Sequence, residues 1–199
     1  MAKFEKAAAL VKLTEAERSV FEPFIVTGFD LYSIGSTNFR YGALVGIPIN
    51  YTYTAADEIP RTEITVKGYD QVNWSSKGGE LLQEGLILTE NEQIFGIARE
   101  MMELRSNNIL YNSMLSCGSI LIYYAATNGI NMKQQLYSRP LSLRAILYTI
   151  TGLFVGGTYC LIKDMMRAYT EGSIDTFLAN SGKEYAEAGV GFYDKILKK

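Results

Sequence analysis

Hydrophobic and polar positions divide the chain into a polar part and two uncharged spans. No charged residue occurs from Ser106 to Met132 or from Ala145 to Ile162. At about 1.5 Å per helical residue, the shorter span reaches roughly 27 Å, close to the hydrocarbon thickness of a bilayer. The segment between them, 133–144, carries basic residues and no acidic one. This pattern predicts a transmembrane helical hairpin, and two buried helices of a soluble protein with an apolar ligand pocket are the alternative.

The chain before the first span changes character near residue 21. Residues 1–20 predict an amphipathic helix, because charged and apolar positions recur there with helical spacing. Beyond them, runs of period-two alternation are bounded by glycine, proline, asparagine and aspartate, and these runs predict three or four short strands. The runs lie at 43–47, 49–53 and 63–67.

Helical patterns flank both spans. Thr89 and Glu92 have the spacing of a capping box, and the helix that they open meets no break before Asn107. We therefore expect that helix to run straight into the first span. The helix of the second span is expected to continue to about Tyr169.

Together these patterns predict an α+β membrane protein with a small extramembrane domain containing short strands, a two-helix transmembrane hairpin and a helical C-terminal tail. Its predicted parts are an amphipathic helix at 1–20, an extramembrane α+β region at 21–105, transmembrane helices at 106–132 and 145–162, a basic loop at 133–144 and a helical tail at 163–199. A break near Gly189 to Gly191 is expected to divide the tail. Two crossings return the chain, so we expect the large polar parts on one side of the membrane.

Small residues within the second span are candidates for helix packing. Gly152 and Gly156 are four positions apart, and Gly157 follows directly. This spacing allows two helix backbones to approach closely in lipid. Their partner is either the first span, which also contains small residues, or a transmembrane helix of another protein. A lipid or quinone pocket between the two spans is a third interpretation.

Composition excludes several classes of function. The 199 residues include no histidine and two cysteines, and 19 basic residues nearly balance 21 acidic ones. The lack of histidine excludes Ser-His-Asp and Cys-His nucleophile systems and His-ligated zinc. Two cysteines alone cannot hold a structural metal cluster. A near-neutral chain also argues against a nucleic-acid partner. We expect no catalytic, cofactor-binding or metal-binding residues.

Two features outside the spans invite a functional interpretation. Glu100 and Glu103 lie one helical turn apart beside Arg99 and Arg105, a mixed-charge pattern typical of a solvated face or an ion-pair cluster rather than of a catalytic pair. Trp74 is the single tryptophan and lies in a turn-rich stretch. It is either an anchor for a partner or a core residue of a small domain.

Several short segments resemble the transmembrane protein 177 family. They include 41–48, Val72-Asn73-Trp74, Ala98-Arg99-Glu100, Leu143-Arg144-Ala145 and the region 189–193. Their order and spacing from about residue 39 to residue 199 make the resemblance specific. The motif positions are Gly46, Ile47, Pro48, Arg99, Glu100, Arg144, Phe192 and Tyr193.

The resemblance implies a multi-pass protein of the mitochondrial inner membrane without enzymatic activity or a cofactor. Its implied role is in cytochrome c oxidase biogenesis, where it binds newly made oxidase subunit II and the chaperones that hold that subunit. The basic loop at 133–144 is then expected to face the matrix.

Two departures from the family pattern leave a second hypothesis open. Members of the family carry a further hydrophobic segment near the N-terminus, where this chain has the charged helix at 1–20, and they extend beyond the position of Lys199. The second hypothesis is therefore a stoichiometric accessory structural subunit of a respiratory-chain complex or supercomplex.

Overall fold

A computed structural model of the protein describes residues 2–66 and 70–199. The chain forms two compact units. The α+β unit comprises Met1–Ser106 and Ser173–Lys199, and the hairpin unit comprises Asn107–Gly172. The segments before and after the hairpin thus fold together in one unit. An α+β membrane protein with a helical tail, as predicted, is confirmed.

Seven α-helices occur in the described part of the chain. They are α1 (Ala2–Leu10), α2 (Glu15–Val20), α3 (Lys77–Leu86), α4 (Glu90–Arg105), α5 (Asn108–Lys133), α6 (Leu141–Asn180) and α7 (Lys183–Lys198). The predicted single helix at 1–20 is corrected to two. Lys12 has a left-handed φ of 56°, and Thr14 opens α2 through a capping box with Glu17.

Five short strands form two sheets in the described residues. They are β1 (Phe21–Val26), β2 (Tyr32–Gly35), β3 (Ala43–Pro48), β4 (Thr65–Val66) and β5 (Asp70–Gln71). β3 is the central strand of the first sheet, parallel to β1 and antiparallel to β2. β4 and β5 form a separate antiparallel pair.

The strand predicted at 43–47 is confirmed, whereas the one at 49–53 is wrong. Ile49–Thr52 is a 3₁₀ helix that begins after Pro48. The neighbouring Asn50 and Tyr51 are both buried, which a half-exposed strand does not allow because successive side chains point to opposite faces. In the run at 63–67, Thr65–Val66 is a strand and Lys67 lies outside the described residues.

The core of the α+β unit centres on α4, which packs against α1 on one side and α7 on another. Side chains from β1, β3 and the last turns of α6 complete this core. Its buried α4 residues are Ile94, Phe95, Ile97, Ala98, Met101 and Leu104. A smaller second cluster contains Tyr53, Ile59, Ile64 and Leu86.

Helix ends near the hairpin differ from the prediction. The capping box of Thr89 and Glu92 is confirmed. However, α4 ends at Arg105, and its C-cap residue Ser106 has an extended ψ of 155° and an N–H that donates to the carbonyl oxygens of Met102 and Glu103. The expected continuous helix into the first span is therefore interrupted before α5 begins.

The second span belongs to a longer helix than the pattern predicted. α6 extends to Asn180, beyond Tyr169, because Ile174 and Leu178 are buried in the core of the α+β unit. The break in the tail lies at residues 181–182, and Gly189 to Gly191 are helical within α7. The expected break at those glycines is therefore wrong.

Candidate functional site

The hairpin unit contains both candidate membrane helices of the described residues, α5 and α6. Each is long and apolar enough to cross a bilayer, and the most hydrophobic stretch of each is entirely unburied within the protein. A helix whose apolar side chains face outward in this way is suited to lipid rather than water.

Polar side chains bridge α5 and α6 at three levels. Asn131 Nδ2 donates to the Tyr148 hydroxyl at 2.9 Å, and the Ser116 and Tyr159 hydroxyls are 3.2 Å apart. Further along, Thr170 Oγ1 donates to Asn108 Oδ1 at 3.2 Å. From one pair to the next the residue number rises on α6 and falls on α5, so the two helices are antiparallel. In lipid such interhelical hydrogen bonds take the place of the hydrophobic effect.

A groove of about 380 Å³ lies between the two helices. We call it the hairpin groove, and its lining includes Ser116, Ser119, Tyr123, Gly152, Gly156 and Tyr159. A Cβ atom added at Gly152 would lie 3.6 Å from Tyr123 Cε2, an ordinary van der Waals contact. A Cβ atom at Gly156 or Gly157 would meet nothing within 4 Å. The structure therefore places Gly152 against α5, Gly156 in an open groove and Gly157 outside it.

A polar network inside the α+β unit joins three of the motif positions, Arg99, Glu100 and Tyr193. Arg99 Nε donates to the Tyr193 hydroxyl at 2.8 Å, and that hydroxyl donates to Asp175 Oδ2 at 2.8 Å. Arg99 Nη1 also lies 3.4 Å from Glu100 Oε1 and 3.8 Å from Glu103 Oε2. We call these five residues the Arg99 network.

Burial distinguishes the Arg99 network from a solvated helix face. The side chains of Arg99 and Glu100 are only 16% and 14% exposed. Burial, reinforced by the hydrogen bond to Asp175, raises the pKa of Tyr193 to about 12. Tyr193 is therefore a neutral donor between a cation and a carboxylate. Of the two interpretations of this mixed-charge set, the structure favours the ion-pair cluster.

Phe192 and Tyr193 also belong to an aromatic cluster between α4 and α7. The ring of Phe95 lies 5.8 Å from that of Phe192 and 6.3 Å from that of Tyr193, measured between centroids. Glycines permit this close approach: a Cβ atom at Gly189 would lie 2.9 Å from the Phe95 ring, and one at Gly96 would lie 2.7 Å from Phe192. Both distances are shorter than real Cβ contacts, so these positions need glycine.

The motif positions Gly46, Ile47 and Pro48 lie together on β3. Gly46 lies below an edge-to-face pair formed by Phe24 and Tyr32, whose centroids are 6.5 Å apart. A Cβ atom at Gly46 would lie 3.0 Å from Phe24 Cζ, so glycine is needed beneath these rings. Ile47 packs on the main core, and Pro48 precedes the 3₁₀ helix. These three residues support the sheet.

Trp74 is half-buried at the edge of the second cluster. Its Nε1 donates to the carbonyl oxygen of Arg61 at 3.2 Å, and the Arg61 guanidinium lies 5.8 Å from the ring centroid. These contacts within the chain explain the position of the indole without requiring a partner protein. The interpretation as an anchor stays a prediction.

Sequence reasoning missed Asp175, and it matched Lys195 to the family pattern without assigning it a role. Asp175 completes the Arg99 network, and Lys195 forms a largely buried ion pair with Glu92. Arg99 and Tyr193 are separated by 94 positions and Glu92 and Lys195 by 103, so no local pattern links them. The remaining motif position, Arg144, lies at the turn of the hairpin, with its guanidinium 5.5 Å from the Tyr137 ring centroid.

Comparison with known proteins places the chain in a family. It is 30% identical over 184 residues to transmembrane protein 177 of Xenopus laevis, an alignment that covers 90% of this chain and 58% of that protein. The proteins of the same name from Rattus norvegicus and Homo sapiens are 30% and 27% identical, and each alignment covers 89% of this chain and 56% of the relative.

The chain thus spans little more than half the length of these relatives. No family model matches the chain, and no solved structure matches it significantly. The alignments cover about nine-tenths of the chain. The chain therefore belongs to the transmembrane protein 177 family of membrane proteins.

Proposed function

We propose that this protein is a non-catalytic protein of the mitochondrial inner membrane that binds and stabilises cytochrome c oxidase subunit II and its chaperones during oxidase assembly. The proposal joins the role implied by the family resemblance to a surface that suits it. It concerns binding rather than chemistry, because the buried polar groups of the Arg99 network are engaged with one another. The observation that carries the proposal is the apolar hairpin groove.

The hairpin groove has the properties of a docking face for a transmembrane helix. Its lining is almost entirely apolar, and the glycine at position 156 leaves its floor open. Ser119 Oγ donates to the carbonyl oxygen of Leu115 within its own helix. An apolar helix entering the groove therefore gains van der Waals contact without leaving this hydroxyl without a partner, and packing of this kind drives helix association in lipid.

The helices of the α+β unit are held together by a polar network. The unit contains chain from both sides of the hairpin, and the Arg99 network links α4 to both the end of α6 and α7. In the proposed topology both large polar segments lie on one side of the membrane, and the positive-inside tendency favours a matrix location for the basic turn. A stable α+β unit of this kind suits a protein that holds a client rather than one that reacts with it.

Deletion of the protein tests this role. Pulse-labelling of mitochondrial translation products should then show faster turnover of newly made subunit II, while other labelled products decay at their normal rate. Restoring the full-length chain should restore the lifetime of subunit II. Normal maturation and turnover of subunit II after deletion would contradict the proposal.

Native gels distinguish the assembly role from the accessory-subunit hypothesis. An assembly factor should migrate with newly made subunit II and its chaperones at less than one copy per mature oxidase. Co-migration with a mature respiratory complex at one copy each would instead support a permanent subunit. Affinity purification of the tagged protein in mild detergent identifies the partner in either case.

A further inference from the structure

The turn of the hairpin is its purely cationic end. Lys133, Arg139 and Arg144 lie within the last residue of α5, the connecting loop and the first turn of α6, and no acidic residue occurs from 107 to 163. The other end of the hairpin differs, because acidic and basic residues alternate there and Arg167 pairs with Glu171 at 2.9 Å. Only the turn has an uncompensated positive charge.

Arg144 has an unused hydrogen-bond donor at this turn. Its Nε is buried and has no hydrogen-bond partner among the described residues. The guanidinium lies over the Tyr137 ring, 5.5 Å from the centroid. A buried donor without an acceptor is costly, so an acceptor that approaches Arg144 is stabilised by more than simple charge attraction.

The helix that carries Arg144 adds backbone donors. α6 begins at Leu141 directly after Pro140, and although the Leu143 N–H donates to the carbonyl oxygen of Pro140, the N–H groups of Leu141 and Ser142 have no acceptor within the helix. The N-terminus of a helix also carries partial positive charge. The nearby bond from Asn131 to Tyr148 fixes α5 and α6 relative to each other at this end, so these donors share one small region.

We propose that the turn binds the phosphate group of an anionic phospholipid, with Arg144 as the main ligand and Lys133 and Arg139 as supporting cations. The ligand is an anion because every formal charge at the turn is positive. It is a phosphate because a guanidinium and helix N–H groups both match phosphate oxygens. It is a lipid because the turn connects two membrane-length spans and so lies at the level of the headgroups.

The proposal is tested on the full-length chain in phosphatidylcholine vesicles with a minority of phosphatidylglycerol. After extraction into mild detergent, the protein should retain phosphatidylglycerol in preference to phosphatidylcholine, measured by native mass spectrometry. Arg144→Gln should reduce that preference about tenfold, the effect of losing one charge-assisted hydrogen bond. Lys163→Gln, which removes one positive charge from the opposite end of the hairpin, should leave it unchanged.

Further arms separate this site from its alternatives. If Arg144→Gln does not fold, the double variant Lys133→Gln/Arg139→Gln changes only exposed side chains and should lower the preference several-fold. If Lys163→Gln and Arg144→Gln lowered the preference for phosphatidylglycerol equally, the preference would depend on total positive charge, and the proposed site would be overturned. Retention of both lipids in their vesicle ratio would also overturn it. Complete displacement by inorganic phosphate would assign the site to soluble phosphate and reject a lipid ligand.

Discussion

Tyr193 and Asp175 are joined by a hydrogen bond in which the tyrosine hydroxyl lies 2.8 Å from Asp175 Oδ2. Tyr193 belongs to α7, and Asp175 belongs to the part of α6 that follows the hairpin unit. Arg99 of α4 donates to the same hydroxyl. One tyrosine therefore links three helices of the α+β unit, and the motif positions Arg99 and Tyr193 both take part in that link.

Tyr193→Phe should destabilise the α+β unit by about 1–3 kcal/mol, because it leaves Asp175 and Arg99 without the hydroxyl that satisfies both. Denaturant unfolding of the full chain in detergent, followed by tyrosine and tryptophan fluorescence, measures this change. Tyr41→Phe is the matched control, since Tyr41 is 94% exposed. Equal stability of both variants and the parent protein would show that the Arg99 network is not stabilising.

The raised pKa of Tyr193 predicts a stability loss at alkaline pH. Burial and the bond to Asp175 favour the neutral hydroxyl, and the pKa rises from 10.0 to about 12. Because the folded pKa is the higher one, this contribution is complete below pH 10 and disappears as the pH passes through about 12. The loss is measured as the difference in unfolding free energy between the parent and Tyr193→Phe. A difference that stays constant over that range would contradict it.

Local patterns suffice for the spans and for β3, but not for the Arg99 network. The uncharged stretches at 106–132 and 145–162 and the alternation at 43–47 concern neighbours in sequence, so each could be identified from the residues alone. The partners of Arg99 come from three separate helices, and only the packing of α4, α6 and α7 brings them together. Spacing along one helix identified the cluster of charges but not its burial.

The spacing of glycines in one helix also failed to predict where helices pack closely. Spacing marked Gly152 and Gly156 as sites of close helix packing, yet helical glycines in the α+β unit, among them Gly96, Gly189 and Gly191, have much closer neighbours on other helices. The closeness of two helices at a glycine depends on which side chain of the neighbouring helix faces that glycine. Tyr123 lies across from Gly152, and a large ring on a neighbouring helix keeps two backbones apart. The identity of that neighbour cannot be read from the spacing of glycines in one helix.

Gly189→Ala should destabilise the α+β unit by about 1–3 kcal/mol, because its Cβ atom would lie 2.9 Å from the buried ring of Phe95. The matched control is Gly172→Ala in α6, whose Cβ atom would meet nothing within 4 Å. That control should be neutral or more stable by up to about 1 kcal/mol, since alanine favours a helix over glycine. Unfolding of both variants under the same conditions gives the comparison, and equal shifts would refute the close contact.

Trp74→Ala should cost less than the roughly 3–5 kcal/mol typical of a fully buried tryptophan. The indole is half-buried, and its removal also takes away the hydrogen bond to the Arg61 carbonyl. Trp74→Phe keeps an aromatic ring on the second cluster and should recover most of the loss. Thermal unfolding and partner recovery are measured together. Unchanged stability with a clear loss of partner would establish Trp74 as an anchor instead.

Gly156→Leu should lower partner recovery several-fold without lowering the abundance of the protein. The new side chain enters the hairpin groove, which a partner helix would otherwise occupy, and it meets no atom of this chain near its Cβ position. Gly157→Leu adds the same side chain next to it, also without a clash but outside the groove, and should leave recovery unchanged. Affinity purification of both variants from mild detergent, normalised to the amount of tagged protein, decides between them. If recovery falls equally in both, the added bulk acts through the whole helix surface and the groove is not the docking face.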